Sequence, residues 1–256
     1  MATDTTIRQA IRSRGHWRVE ITPVDYEEER IDDLGELAQI VPQHTVALRG
    51  WDYPHIDTNS PVLRGLDWAG QDTAWQHHLD SWRVFTNGLF LSMNGLRDDW
   101  KDRSPYDSPN EDWAPGGALG VGDTIYTLTE VFEFATRLSS SPIGATAVVV
   151  STKLVGAKDR ALYVDNRGRG SLYRDYHAAI DEIPLQVTVA RSALLAEAWD
   201  LAAVQARKLF QLFTWDCPLA TIHDFQREMS EWSKSTPRWG EADDQPPEPP
   251  SPDPTA

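Results

Sequence analysis

The chain predicts an α+β fold: a mixed, largely antiparallel sheet flanked by helices in a single domain. Three observations carry this expectation. Some short runs alternate apolar and polar residues as half-buried strands do, other runs repeat apolar residues at helical spacing, and one Asn-Gly pair sits between two apolar runs like a hairpin turn.

After a polar lead, His16 to Thr22 sets Trp17, Val19 and Ile21 on one side and Arg18 and Glu20 on the other, which predicts a first strand. Asp33 and Glu36 stand at capping spacing ahead of Leu37, Ile40 and Val41, so a short helix is expected over about Asp33 to Val41, closed by Pro42. Thr45 to Leu48 reads as a second strand ending in the aromatic turn Arg49-Gly50-Trp51-Asp52-Tyr53-Pro54-His55. A two-residue type I′ turn at Asn87-Gly88 would set Phe85 opposite Phe90, Val84 opposite Leu91 and Trp82 opposite Met93. Strands near 81–86 and 89–96 follow. Asp, Pro and Gly crowd residues 98–122 too densely for a helix or central strand, which predicts a long loop.

Asp123 or Thr124 then caps a helix in which Leu128, Val131, Phe132, Ala135 and Leu138 form an apolar stripe. Ala147–Val150 and Leu162–Val164, joined through Gly156 to Asp159, read as Val-rich strands, and Leu185–Val189 as another. Ser192 opens a long helix to about Phe213 that carries Leu195, Trp199, Ala202, Leu209 and Phe213 inward. A last helix follows Thr221, with Ile222, Phe225, Met229 and Trp232 at helical spacing. These elements fit one domain over 1–236. From Glu241 six prolines fall in sixteen residues, so 237–256 reads as a flexible acidic tail.

Lys and Arg total 24 against 39 Asp and Glu, a formal charge of −15, of which the last sixteen residues carry −5. An acidic surface repels phosphate polyanions, which disfavours nucleic acid and leaves room for one local basic surface only. No apolar run approaches the ~20 residues of a membrane span. The single Cys217 allows no internal disulfide, and the first residues show no basic-then-apolar export pattern. A water-soluble, cytoplasmic protein is therefore expected.

The seven residues Arg49–His55 are the densest chemical cluster, and Arg49, Trp51, Asp52, Tyr53 and His55 are the candidate ligand- or partner-binding residues. In the plainer reading Trp51 and Tyr53 cover the core edge while Arg49 pairs with Asp52. Trp68, Trp100 and Trp113 lie in loop-like sequence and could add aromatic anchors. Neither H-E-x-x-H nor paired C-x-x-C occurs, and the adjacent His77 and His78 point apart, so no metal and no cofactor is predicted. No G-x-S-x-G surrounds a serine, and Cys217 reads as a packed, inert thiol. Asp98 and Asp99 read as solvated loop acids. The Gly-rich run 116–122 precedes a helix, where phosphates can bind, but it lacks a following Lys and reads as a loop that frees the helix start. Arg160, Arg167, Arg169 and Arg174, with Tyr173 and Tyr176 nearby, form the one basic cluster able to contact phosphates.

The ordered segments WRVEITP, LRGWDYPHID, WRVFTNGLFLSMNGL and YTLTEVFEFATRL resemble a family of uncharacterised bacterial proteins over about residues 16–232. Related regions in that group are sometimes attached to Schlafen-type Alba-like domains, to which nucleic-acid contact is ascribed. The resemblance supplies no catalytic residue. It emphasises Arg49-Gly50-Trp51, Pro54 and Glu130, positions that suit architecture as well as a site.

The expected function is thus a non-catalytic recognition or regulatory module that binds a protein partner or small ligand through residues 49–57 and 98–122. The alternatives are a metal-assisted or His/Asp-dependent hydrolase built on Asp52, His55 and one of the paired histidines, and a nucleic-acid-contacting accessory protein using the arginine cluster.

Overall fold

A computed structural model describes residues 2–101, 115–166 and 168–235. In chain order these form α1 (Ala2–Arg12), β1 (His16–Pro23), α2 (Leu34–His44), β2 (Leu63–Arg64), β3 (Trp68–Trp75), β4 (His78–Phe85) and β5 (Phe90–Gly95). A 3-10 turn (Arg97–Trp100), β6 (Ala118–Gly120), α3 (Val121–Ser139), β7 (Ala147–Val155), β8 (Ala161–Tyr163), β9 (Glu182–Ala190), α4 (Arg191–Leu212) and α5 (Leu219–Ser235) complete it. Seven strands make one sheet in the order β2-β3-β4-β5-β1-β7-β9, every pair antiparallel, while β6 and β8 form a separate parallel pair. The fold is α+β, and the parallel component expected in the sheet is confined to that small pair.

Alternation along the strands gives the sheet two unlike faces. On the inner face Trp17, Val19, Ile21, Trp82, Val84 and Phe90 are buried together with the α3 stripe of Leu128, Val131, Phe132, Ala135 and Leu138. Removing each such side chain from water is worth roughly 1.5–3 kcal/mol, which makes this layer the main source of stability. The outer face carries α1 across β3, β4 and β5, through a small cluster of Ile11, Leu79 and Met93. The polar lead is therefore a helix that the pattern did not announce, and β3 was likewise not expected.

The hairpin forms with a register one residue from expectation. Phe85 N donates to Leu89 O at 2.9 Å and Gly88 N to Phe85 O at 2.9 Å, so Thr86, Asn87 and Gly88 bridge the strands. Only Gly88 of the Asn-Gly pair is left-handed, at φ +88°. This is a three-residue loop, and it pairs Val84 with Phe90 and Trp82 with Ser92. The slip places Trp82, Val84 and Phe90 together on the inner face, which the two-residue turn would not do. A Cβ at Gly88 would stand 2.7 Å from Ile143 O and 2.8 Å from Pro23 Cγ. Gly88→Ala is expected to lose about 1–3 kcal/mol in urea denaturation; an unchanged midpoint would refute the strained turn.

Other boundaries shift for local reasons. Thr45–Leu48 is not a strand, since only Val46 pairs, in an isolated bridge to Tyr53. Asp33 does cap α2, accepting from Glu36 N at 2.7 Å, but Pro42 lies within the helix, which continues to His44. α3 starts at Val121, ahead of the expected Asp123 or Thr124. In α4, Glu197 leaves helical geometry at φ −139°, and a single period read across that kink misplaces Leu195, which is 63% exposed while Leu194 is buried. Leu162 pairs into β6 and not with β7. Trp113, Arg167 and residues 237–256 lie outside the described residues. Among the described residues no helix is long and apolar enough to cross a membrane.

Candidate functional site

Val46 and Tyr53 exchange two backbone hydrogen bonds, 2.8 and 2.7 Å, and close a loop with Arg49 and Trp51 at its tip. Gly50 turns the tip at φ +71°. Tyr53 anchors the loop inward: it is buried, lies edge-on to Phe134 at 5.8 Å, and has its hydroxyl 3.0 Å from Ser92 Oγ. It is a core residue more than a contact residue. Further along, Trp82 Nε1 donates to His55 O at 3.1 Å, and Gln71 Nε2 donates to Asp57 O at 2.7 Å and Ser60 O at 2.8 Å. Residues 46–60 are thereby pinned against the middle of β3 and β4, at the paired residues Gln71 and Trp82.

Opposite this loop, Asp123, Thr127 and Glu130 are spaced four and three apart on α3, so they share one helix face. Arg49 spans them. Its Nε and Nη2 reach the Glu130 carboxylate at 3.0 and 2.6 Å, and Nη1 reaches Asp123 Oδ1 at 2.6 Å. Burial pushes Glu130 above the ordinary carboxylate range, and the attraction of Arg49 opposes this without cancelling it. The expected Arg49–Asp52 pair is therefore absent. Asp52 instead accepts from Ile56 N at 3.0 Å and stands 3.5 Å from His55 Nδ1. Burial would raise Asp52, but His55 and the Ile56 N–H hold it below its usual value.

Trp51 sits in an aromatic stack, with ring centroids 4.1 Å from His55, 4.7 Å from His78 and 5.3 Å from Trp75. Burial, then the positive charge of Arg97, lowers His78 to about 4, so its ring is neutral in the stack at neutral pH. A proton-NMR titration of His78 in the folded protein should give a midpoint near 4; a midpoint at the ordinary 6.5 would mean the ring is solvated.

Beneath the stack Asp80 accepts from Asn94 Nδ2 at 2.6 Å, and burial raises its carboxyl against that bond. The Trp17 indole N–H is buried with no partner among the described residues. These groups line a cleft of about 390 Å³, which shares Arg49, Arg97, Asp123 and Trp232 with a neighbouring hollow of about 610 Å³. Both volumes lie in the range of small-molecule sites. The neighbouring hollow includes Asp165, whose carboxylate receives Gly122 N at 2.6 Å and Asp123 N at 2.7 Å. The chain's own acid thus fills the anion position at the start of α3, and burial, then Asp123, pushes it up to about 6.

The remaining candidates separate. Asp99 is not a solvated loop acid: it is buried against Arg160, whose own side chain is 2% exposed, so neither is open to a ligand. Asp98 is also engaged, accepting from Tyr163 and Lys101. Arg169 is held by Glu228 at the rim of the second hollow, and Arg174 lies over Tyr176 at 4.9 Å. Trp100 packs with the α1 cluster under Arg14, and Trp68 lies beneath Arg83, so neither joins the Trp51 stack.

Sequence reasoning found the loop and missed its counterparts: Trp17, Trp75, Asp80, Asn94, Arg97, Asp123, Thr127 and Asp165. The polar i, i+4, i+7 row Asp123, Thr127 and Glu130 on α3 is the signal the sequence offers. Comparisons of the chain with protein-family models, with curated proteins and with solved structures found no match.

Proposed function

We propose that this protein is a non-catalytic recognition module that captures a small ligand in the Trp51 cleft. The observation supporting this is the Trp51, Trp75, His55 and His78 stack at a concave surface, where a flat ring gains area and quadrupole contact at little entropic cost. The acids Asp52 and Asp80 beside it favour a ring that carries hydrogen-bond donors or positive charge. Concavity favours a small ligand over a protein surface, and the single buried thiol suits a reducing, cytoplasmic setting.

The test is saturation-transfer NMR on the full chain with nucleosides, monosaccharides and quaternary amines. One class should bind, and Trp51→Ala should weaken it by about 1–3 kcal/mol. Unaltered affinity in Trp51→Ala would overturn the reading.

A second reading, a hydrolase using Asp52, His55 and His78, is supported by their shared place in one cleft and the 3.5 Å approach of Asp52 to His55. Turnover of an ester or phosphoester panel that His55→Ala abolishes would replace recognition by catalysis.

A further inference from the structure

The outer face of the sheet carries a second concavity, unrelated to the Trp51 cleft. α1 packs mainly over β3, β4 and β5, and beside it a hollow of about 420 Å³ opens over β4, β5, β1, β7 and β9. Strand pairing places Arg18 beside Met93 and Lys153, so cationic and apolar side chains share this face. Arg8 and Arg12, four apart on α1, supply the wall.

Five cations and one acid, Glu20, line the hollow in a chain whose formal charge is −15. Two of the cations are neutralised: Arg83 by Asp72 at 2.8 Å and Lys153 by Glu182 at 2.7 Å. Arg12 and Arg18 make no ion pair among the described residues. The orientation of Arg18 is built into the fold. Buried His16 gives its Nδ1 proton to Arg14 O at 2.8 Å, which leaves Nε2 to accept from Arg18 Nε at 3.3 Å. That bond occupies the inner nitrogen of Arg18 and leaves the outer edge of the guanidinium for another acceptor. His16 is held below its ordinary value by burial and further by the charges of Arg18 and Arg12, so it stays a neutral acceptor for Arg18. The floor is apolar, with Leu91, Met93 and Pro184.

We propose that this hollow binds an amphipathic organic anion, its acyl or aryl body on Leu91, Met93 and Pro184 and its carboxylate or phosphate between Arg12 and Arg18. Fork-shaped donors above an apolar floor match that class and not a bare ion. The site is separate from the proposed recognition cleft and stands or falls without it.

Calorimetric titration of the full chain with decanoate, 1-naphthyl phosphate and inorganic phosphate tests it. One amphipathic probe should bind at a single site, the acyl and aryl arms deciding between the two bodies, and inorganic phosphate should bind far more weakly. Arg12→Gln and Arg18→Gln should each weaken binding roughly tenfold, with probe-induced methyl shifts centred on Leu91 and Met93. Both arginines are exposed, so an unchanged melting temperature is expected and verifies folding. The proposal is overturned if neither amphipathic probe binds, if both variants bind as the parent does, or if Trp51→Ala and not the arginine variants removes binding.

Discussion

Replacing Asp99 with alanine should destabilise the fold by about 3–5 kcal/mol, the usual consequence of leaving a buried guanidinium without its carboxylate. Asp99 Oδ1 receives Arg160 Nη1 at 2.7 Å and Gly116 N at 3.1 Å, while Oδ2 receives Arg160 Nη2 at 2.5 Å and Gly15 N at 2.8 Å. Arg160 in turn donates to Gly156 O at 2.5 Å and Ala118 O at 2.9 Å. One carboxylate thus ties the start of β1, the turn after β5, the approach to β6 and the link between β7 and β8. Gly15 belongs to the same knot, because a Cβ there would stand 2.0 Å from Arg160 Nη2. For a chain of this size the loss corresponds to a fall of roughly 10 °C in melting temperature. Asp99→Asn, which keeps size and one acceptor, should lose less. Asp99→Ala with Arg160→Met should recover part of the deficit, since no charge is then stranded. Calorimetry on the three variants decides it: a melting temperature within a degree or two of the parent in Asp99→Ala would mean the pair contributes nothing.

Nothing local in the sequence announces that knot. Asp98 and Asp99 stand in an acidic, Pro-rich stretch, and the partner that buries Asp99 lies 61 residues away. Burial of an acid is a tertiary fact. What is legible locally is β1 from its alternation, α2 from its cap, α3 from its stripe, and the Arg49–His55 loop from its density of functional groups. Where residues were misread, side-chain pattern and backbone need diverged. β3 has little apolar alternation, yet its Gly70 is demanded by the close approach of Trp82 O, 2.2 Å from any Cβ placed there. The hairpin register turned on whether one or two residues enter the left-handed region, a choice made by the packing of Trp82, Val84 and Phe90. For the cleft, the apolar stripe declares α3, whereas Asp123, Thr127 and Glu130 become one site only because Arg49, distant in sequence, spans them.

That span supplies the other large effect. Arg49→Met should destabilise the protein by about 2–4 kcal/mol, somewhat less than for a fully buried pair because the Arg49 side chain stays 28% exposed and Glu130 can take up a proton. The proton gives the prediction its sign. Glu130 is already raised above its ordinary 4.5 in the folded state by burial, and removing Arg49 removes the attraction that opposed this. A carboxyl raised on folding penalises the folded state above its folded pKa, and the penalty fades as pH falls towards the unfolded value. The deficit of Arg49→Met relative to the parent should therefore be larger at pH 7 than at pH 5. Adding Glu130→Gln should shrink it at pH 7 and remove most of its pH dependence, because the group that titrates is gone. Urea denaturation of the parent, both single variants and the double variant at the two pH values measures the coupling directly. Equal deficits for Arg49→Met at pH 5 and pH 7 would show that Glu130 is not the charge Arg49 compensates. The same variants bear on recognition, since Arg49 fixes the loop tip next to Trp51. If the cleft binds by stacking, Arg49→Met should weaken ligand through a loosened Trp51 even where the protein remains folded, and Glu130→Gln, which leaves Arg49 its contact with Asp123, should weaken it less.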